Sequence, residues 1–178
     1  MTQNMTDQSE APGTIAEMKE AVGSLFMLWS RVEADLVKAL AELSGPPKAD
    51  TPHGIGRTLA AWKALHEDIA GRGTDHLEVV CALHGHLAGA LRVRNAIAHG
   101  LESYGIAGSD GSGEAYFQCR LKDAPEVITL RHLKACLSRL AGARMHISRL
   151  TYAALHPGER GLQSLYDDVT DLMRRHED

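Results

Sequence analysis

Aromatic residues are scarce in this chain, with two phenylalanines, two tryptophans and four tyrosines in 178 residues. The good helix formers Ala, Leu, Glu, Lys and Arg are plentiful instead, which favours helices over sheets. Cysteine is sparse as well. Cys81, Cys119 and Cys136 are odd in number, scattered, and lack C-x-x-C spacing, so no disulfide framework is indicated and a reducing cytoplasm is the expected location. Residues 1–13 are polar and contain neither a basic n-region nor an apolar h-region, so no signal peptide is expected. No apolar run approaches the length that spans a bilayer, and no membrane partner is expected. Basic charge is not in excess either. The formal net charge is −4, so any contact with nucleic acid needs a local cationic cleft rather than an overall field.

Helical periodicity fills the space these absences leave. The length fits a single domain with one substantial core. After a leader over 1–13 expected to be disordered, Thr14-Ile15-Ala16-Glu17 reads as a capping box. Ile15, Met18, Val22, Leu25, Trp29, Val32, Leu36, Leu40 and Leu43 then recur at steps of three and four, until Ser44-Gly45-Pro46-Pro47 stops the helix. The spacing predicts a second helix over about His53 to Ala70, with Ile55, Leu59, Trp62, Leu65 and Ile69 inward. A third is capped by Thr74 or Asp75 and runs to Gly100, a C-cap candidate. Residues 101–129 carry Gly105, Gly108, Gly111 and Gly113 between short apolar runs and read as an inserted β-hairpin. A fourth helix follows over about Leu130 to Ala154, and Leu162, Leu165, Val169, Leu172 and Met173 suggest a last one over 158–176. The expected architecture is all-α: an up-and-down bundle of four to five helices over 14–178, with a small hairpin between helices three and four.

The third helix ends in Arg94-Asn95-Ala96-Ile97-Ala98-His99-Gly100. Arg94 shares the helical phase of Leu87, Leu91 and Ala98, where a guanidinium is costly unless paired or at a polar interface. Glu33 and Asp35 on the first helix are its candidate partners, and Glu33 flanks the apolar seam beside Trp29 and Val32. Asn95 and His99 are four apart and project from one face, which Arg92 joins. A permanent cation, an amide and a titratable imidazole are thereby gathered at one helix end. Cleavage of RNA by its own 2′-hydroxyl calls for such parts: proton transfer near neutral pH suits histidine, and developing phosphate charge suits the forked donors of arginine.

An arginine followed by a polar residue, with a histidine five positions on from the arginine, resembles the signature of HEPN domains. The order of elements over about residues 14 to 155 is similar as well. The resemblance implies a metal-independent endoribonuclease, of the toxin or phage-defence kind, with no cofactor. It implies His99 as acid/base, Arg94 as phosphate stabiliser and Asn95 as the orienting residue. From their positions, Arg92 on the Asn95–His99 face is expected to bind substrate and Glu33 beside the apolar seam to support the site. The resemblance also implies a homodimer in which two sites meet, with RNA as substrate and an antitoxin or defence protein as a further partner. The apolar arc of the first helix, broadened by Phe26, Leu28 and Val37, and the amphipathic last helix point to a two-fold interface on their own account. The alternative is a non-catalytic HEPN-like dimeric module that binds a nucleotide or a protein partner; the negative net charge favours it.

Other constellations are weaker. His84-Gly85-His86 invites a metal, but helical residues two apart diverge by about 200° and no ligand set completes a site. His84 falls in the apolar phase and reads as a core residue. The glycines at 105, 108, 111 and 113 lack the lysine-serine or lysine-threonine ending of a phosphate loop. Arg139, Arg144 and Arg149, with His132 and His146, read as a solvated face of the fourth helix, or else as a basic RNA-binding face.

Overall fold

The computed structural model describes residues 14–45, 54–70, 75–108 and 113–157, together with 164, 166, 167 and 170. The expected leader and most of the expected last helix lie outside the described residues; Ser164, Tyr166, Asp167 and Thr170 are helical. The described chain is mainly helical. Its elements are α1 (Ile15–Ser44), α2 (Ile55–Ala70), α3 (Asp75–Gly100), β1 (Leu101–Ile106), β2 (Ala115–Leu121), β3 (Ala124–Thr129) and α4 (Leu130–Leu155).

The capping box forms as its sequence implies. Glu17 N–H donates to Thr14 Oγ1 at 3.2 Å, and Thr14 N–H donates to Glu17 Oε2 at 2.7 Å. At the other end Gly45 adopts φ 75°, a conformation that favours glycine, just before the proline pair. The apolar stripe of α1 supplies Met18, Leu25, Trp29, Val32 and Leu36 to the core, and α4 answers with Leu133, Leu140, Ile147 and Leu150. This α1–α4 seam is the most extensive contact between elements. Arg144 straddles its rim and donates to both oxygens of Asp35. Gly56 meets Leu91 near one end of the α2–α3 pair and His66 meets His76 near the other, so these helices run antiparallel. No helix among the described residues is long and apolar enough to cross a membrane.

Between α3 and α4 the chain makes three antiparallel strands in the order β1-β2-β3, not the single hairpin expected. Leu121 pairs with Ala124 across a two-residue turn, and Lys122 and Asp123 hold φ values of 51° and 63°. Positive φ at both central positions is the twist-matched hairpin geometry, which sequences usually mark with Asn-Gly or Asp-Gly. Lys-Asp lacks that mark, so the second hairpin was hidden in the sequence. The sheet buries Ala115, Phe117, Cys119 and Ile128 against the helices and leaves Gln118 and Val127 exposed. Thr129 then caps α4, accepting from His132 N–H at 3.3 Å while its own N–H donates to His132 Nδ1 at 3.4 Å. A histidine in the position usually held by Glu or Gln completes that box.

Gly100 is not a left-handed cap. It is the last residue of α3, and a Cβ there would lie 2.4 Å from the Arg120 carbonyl oxygen. Its missing side chain lets the helix end rest on the β2 backbone. The chain then passes directly into β1, which fixes the end of α3 against the sheet.

Candidate functional site

The C-terminal turn of α3 carries the motif onto this junction. Arg94 and Asn95 are sequence neighbours, about 100° apart on the helix. The Arg94 side chain nevertheless swings back to its neighbour, and Nη1 donates to Asn95 Oδ1 at 3.0 Å. The guanidinium also covers the Phe26 ring of α1, with Cζ 5.0 Å from the ring centroid. A cation held over an aromatic face is stabilised by the ring quadrupole. Arg94 is half-buried as a result, consistent with its place on the apolar stripe. His99 lies one turn beyond Asn95 and is exposed.

Three expectations about the surroundings need correction. Glu33 does not pair with Arg94, and Asp35 is taken by Arg144; among the described residues Arg94 has no carboxylate partner. Phe26 occupies the place the acid was expected to hold. A π face satisfies part of the guanidinium, and the Asn95 amide satisfies one of its donors, so no buried acid is required. Arg92 is the third case. It leans across to β3 and binds Glu126 at 2.5 Å, rather than standing beside Asn95 and His99 as a free phosphate ligand. Arg120 and Glu102 form a similar pair, at 2.6 Å, on the β1–β2 ladder. Near the motif, then, two arginines are neutralised by glutamates and Arg94 is not.

Sequence reasoning missed Phe26 and Tyr104. Phe26 was visible as part of a broad apolar arc, but nothing in its spacing set it against Arg94. Tyr104 stands exposed on β1, with Lys19 Nζ 6.0 Å from its ring centroid. Leu101 and Ile106 on the same strand are exposed too. One concavity lies between α1 and α4, beside Asp35, Ala39 and Thr151, and another lies at Ala82, Gly85, His86 and Arg139. Neither includes Arg94, Asn95 or His99.

The remaining histidines and arginines sort differently from the sequence reading. His84 is half-buried rather than a core residue, whereas His66, His76 and His146 are buried. The basic run of α4 does not share one face. Arg144 is exposed on the α1 rim, Arg139 and Arg149 are half-buried, and His146 is inside. Residues 139 and 144 are five apart, which places them about 140° from each other around the helix. Among the described residues no group of three His, Cys, Asp or Glu side chains is arranged to hold a metal ion. The three cysteines are free, and burial pushes the thiols of Cys119 and Cys136 above their ordinary range. Comparison with protein-family models, curated proteins and solved structures gives no match to the chain.

Proposed function

We propose that the chain is a HEPN-like, metal-independent endoribonuclease that acts as a homodimer. One observation carries this reading: Arg94, free of any carboxylate among the described residues, is joined to Asn95, which sits one turn before an exposed His99 at the end of α3. In the proposed reaction a base removes the proton of an RNA 2′-hydroxyl, and the oxygen attacks the adjacent phosphorus. An acid then protonates the departing 5′-oxygen, leaving a 2′,3′-cyclic phosphate. His99 performs one proton transfer, and His99 of a second copy performs the other. Arg94 keeps donors beyond the one given to Asn95, and these neutralise the phosphoryl oxygens as their charge grows. Asn95 positions the guanidinium. Exposed Leu101, Tyr104 and Ile106 beside the junction offer apolar surface for the second copy.

The test uses purified protein, RNA and a chelator. Cleavage is expected to persist without metal, to yield cyclic phosphate ends and to stop when the target 2′-hydroxyl is methylated. His99→Ala is expected to abolish it while the fold stays intact, since an exposed helix-end imidazole contributes about 1 kcal/mol or less. Cleavage that needs magnesium, or that acts equally on DNA, rules the mechanism out. A second reading, a non-catalytic module that binds a nucleotide or a protein, draws support from the pairing of Arg92 with Glu126 and from the negative net charge. Binding of a nucleotide without turnover of any RNA would favour it.

A further inference from the structure

Away from the motif, three polar rings form a chain through the protein. His66 of α2 and His76 of α3 meet at 2.8 Å between Nδ1 and Nε2. His76 Nδ1 in turn lies 3.0 Å from the hydroxyl of Tyr166, beyond α4. Trp62 closes the inner end, with its ring edge-on to His66 at 4.8 Å between centroids. His66 and Trp62 are fully buried and His76 nearly so, while Tyr166 packs half-buried at the core margin. His66 Nε2 has no hydrogen-bond partner.

Proton counting constrains this chain of rings. Two ring nitrogens at hydrogen-bond distance need one proton between them, so while both imidazoles are neutral their tautomers must match. If each carries its proton on Nδ1, His66 donates to His76, His76 donates to the Tyr166 oxygen, and the phenol proton faces the wetter side. The buried His66 Nε2 is then a bare lone pair. If each carries it on Nε2, the phenol donates inward and His66 is left with a buried, unpartnered N–H. An orphaned donor is the costlier alternative, so the first polarity is favoured.

Acid has no comfortable place in either arrangement. Neither imidazole has a carboxylate partner among the described residues. On α2, Lys63 pairs with Glu67 instead; on α3, Asp75 acts on the Tyr166 hydroxyl and Glu78 is exposed; Asp167 follows Tyr166 in the chain. An added proton therefore creates a buried imidazolium with no counter-charge, and a second one sets two N–H groups against each other across 2.8 Å. Relief comes when water reaches the rings, which the departure of Tyr166 from His76 allows.

We propose that the His66–His76–Tyr166 relay is an acid-sensitive latch: it holds Tyr166 onto the α2–α3 pair while both imidazoles are neutral and lets it go when either is protonated. Burial and the neighbouring imidazole push His66 down to about 3, and burial lowers His76 as well. The latch is therefore closed at neutral pH and loosens in acid, independently of what the motif on α3 does.

Hydrogen exchange of the full chain, followed by mass spectrometry and corrected for intrinsic rates, reads the latch directly. Between pH 7.5 and 4.5 the peptide containing Tyr166 is expected to lose protection while peptides from α1 and α4 keep theirs. Tyr166→Phe preserves the ring and removes the hydroxyl. It is expected to lower protection of that peptide about three- to tenfold at pH 7.5, the worth of one partly buried hydrogen bond. Equal protection of the wild-type peptide at both pH values, or no effect of Tyr166→Phe, overturns the proposal. If the whole chain unfolds over the same range, ring-nitrogen NMR at pH 7.5 decides. Matching tautomers at His66 and His76 are expected, and mismatched or rapidly averaging ones overturn the relay.

Discussion

Gly100→Ala probes the contact that seats α3 on the sheet. The added Cβ would stand 2.4 Å from the Arg120 carbonyl oxygen and 2.8 Å from the carbonyl carbon. A comfortable carbon-oxygen contact is about 3.3 Å, so roughly an ångström must be found. Neither side yields easily. Arg120 lies in the middle strand, paired with Pro125 of β3, and Gly100 ends a 26-residue helix. Overpacking of this kind costs about 1–3 kcal/mol, and a backbone obstacle points to the upper half of that range. Alanine recovers up to about 1 kcal/mol of helix propensity. The net expectation is a loss of about 2 kcal/mol, or a melting temperature lower by about 4–8 °C at this chain length. Gly23→Ala and Gly85→Ala are the controls, because a Cβ at either meets nothing within 4 Å. Both lie inside helices and are expected to stabilise by up to about 1 kcal/mol. Calorimetric melting of the three variants settles the matter. If Gly100→Ala melts together with the controls, the close approach of α3 to β2 is not what the glycine serves.

Stability is expected to fall with acid in a defined window. His66, at about 3, lies below its unfolded value near 6.5, so the unfolded chain binds the proton first. Its contribution is complete above about pH 6.5 and declines by roughly 1.4 kcal/mol per pH unit as pH drops toward the folded value. His76, lowered in the same direction, steepens the slope; urea unfolding from pH 7.5 to 4.5 measures it, and a flat profile contradicts the buried pair. Asp123→Gly relieves a positive φ in the β2–β3 turn and is expected to raise stability by about 0.5–1 kcal/mol in chemical denaturation. Arg94→Ala is expected to cost only about 1–2 kcal/mol, since it removes a cation–π contact and one hydrogen bond but strands no acid. A loss above about 3 kcal/mol would indicate a buried charge partner after all. Arg94→Lys is expected to keep most of that stability and to lower RNA cleavage sharply, because the forked donors are gone.

Local signals in the sequence determined a great deal. The Thr14–Glu17 box, the three-and-four spacing through Leu36 and the glycine-proline stop at 45–47 mark α1, because capping and amphipathic periodicity act over one or two turns. The motif's own placement at the end of α3 was legible for the same reason. Signals that depend on rare backbone states were weaker: Lys122-Asp123 makes a hairpin turn that its residue types do not advertise, and a third strand went unseen. Long-range partners were decided by the tertiary structure alone. Periodicity shows which face of a helix turns inward but not which neighbour it meets, so Arg94 was open to Glu33 or Asp35 until packing set it against Phe26. Arg92 likewise found Glu126, 34 residues on, and His76 found Tyr166, 90 residues on. Distances of that order along the chain carry no imprint in local pattern, because only the closed bundle and its sheet bring those side chains within reach.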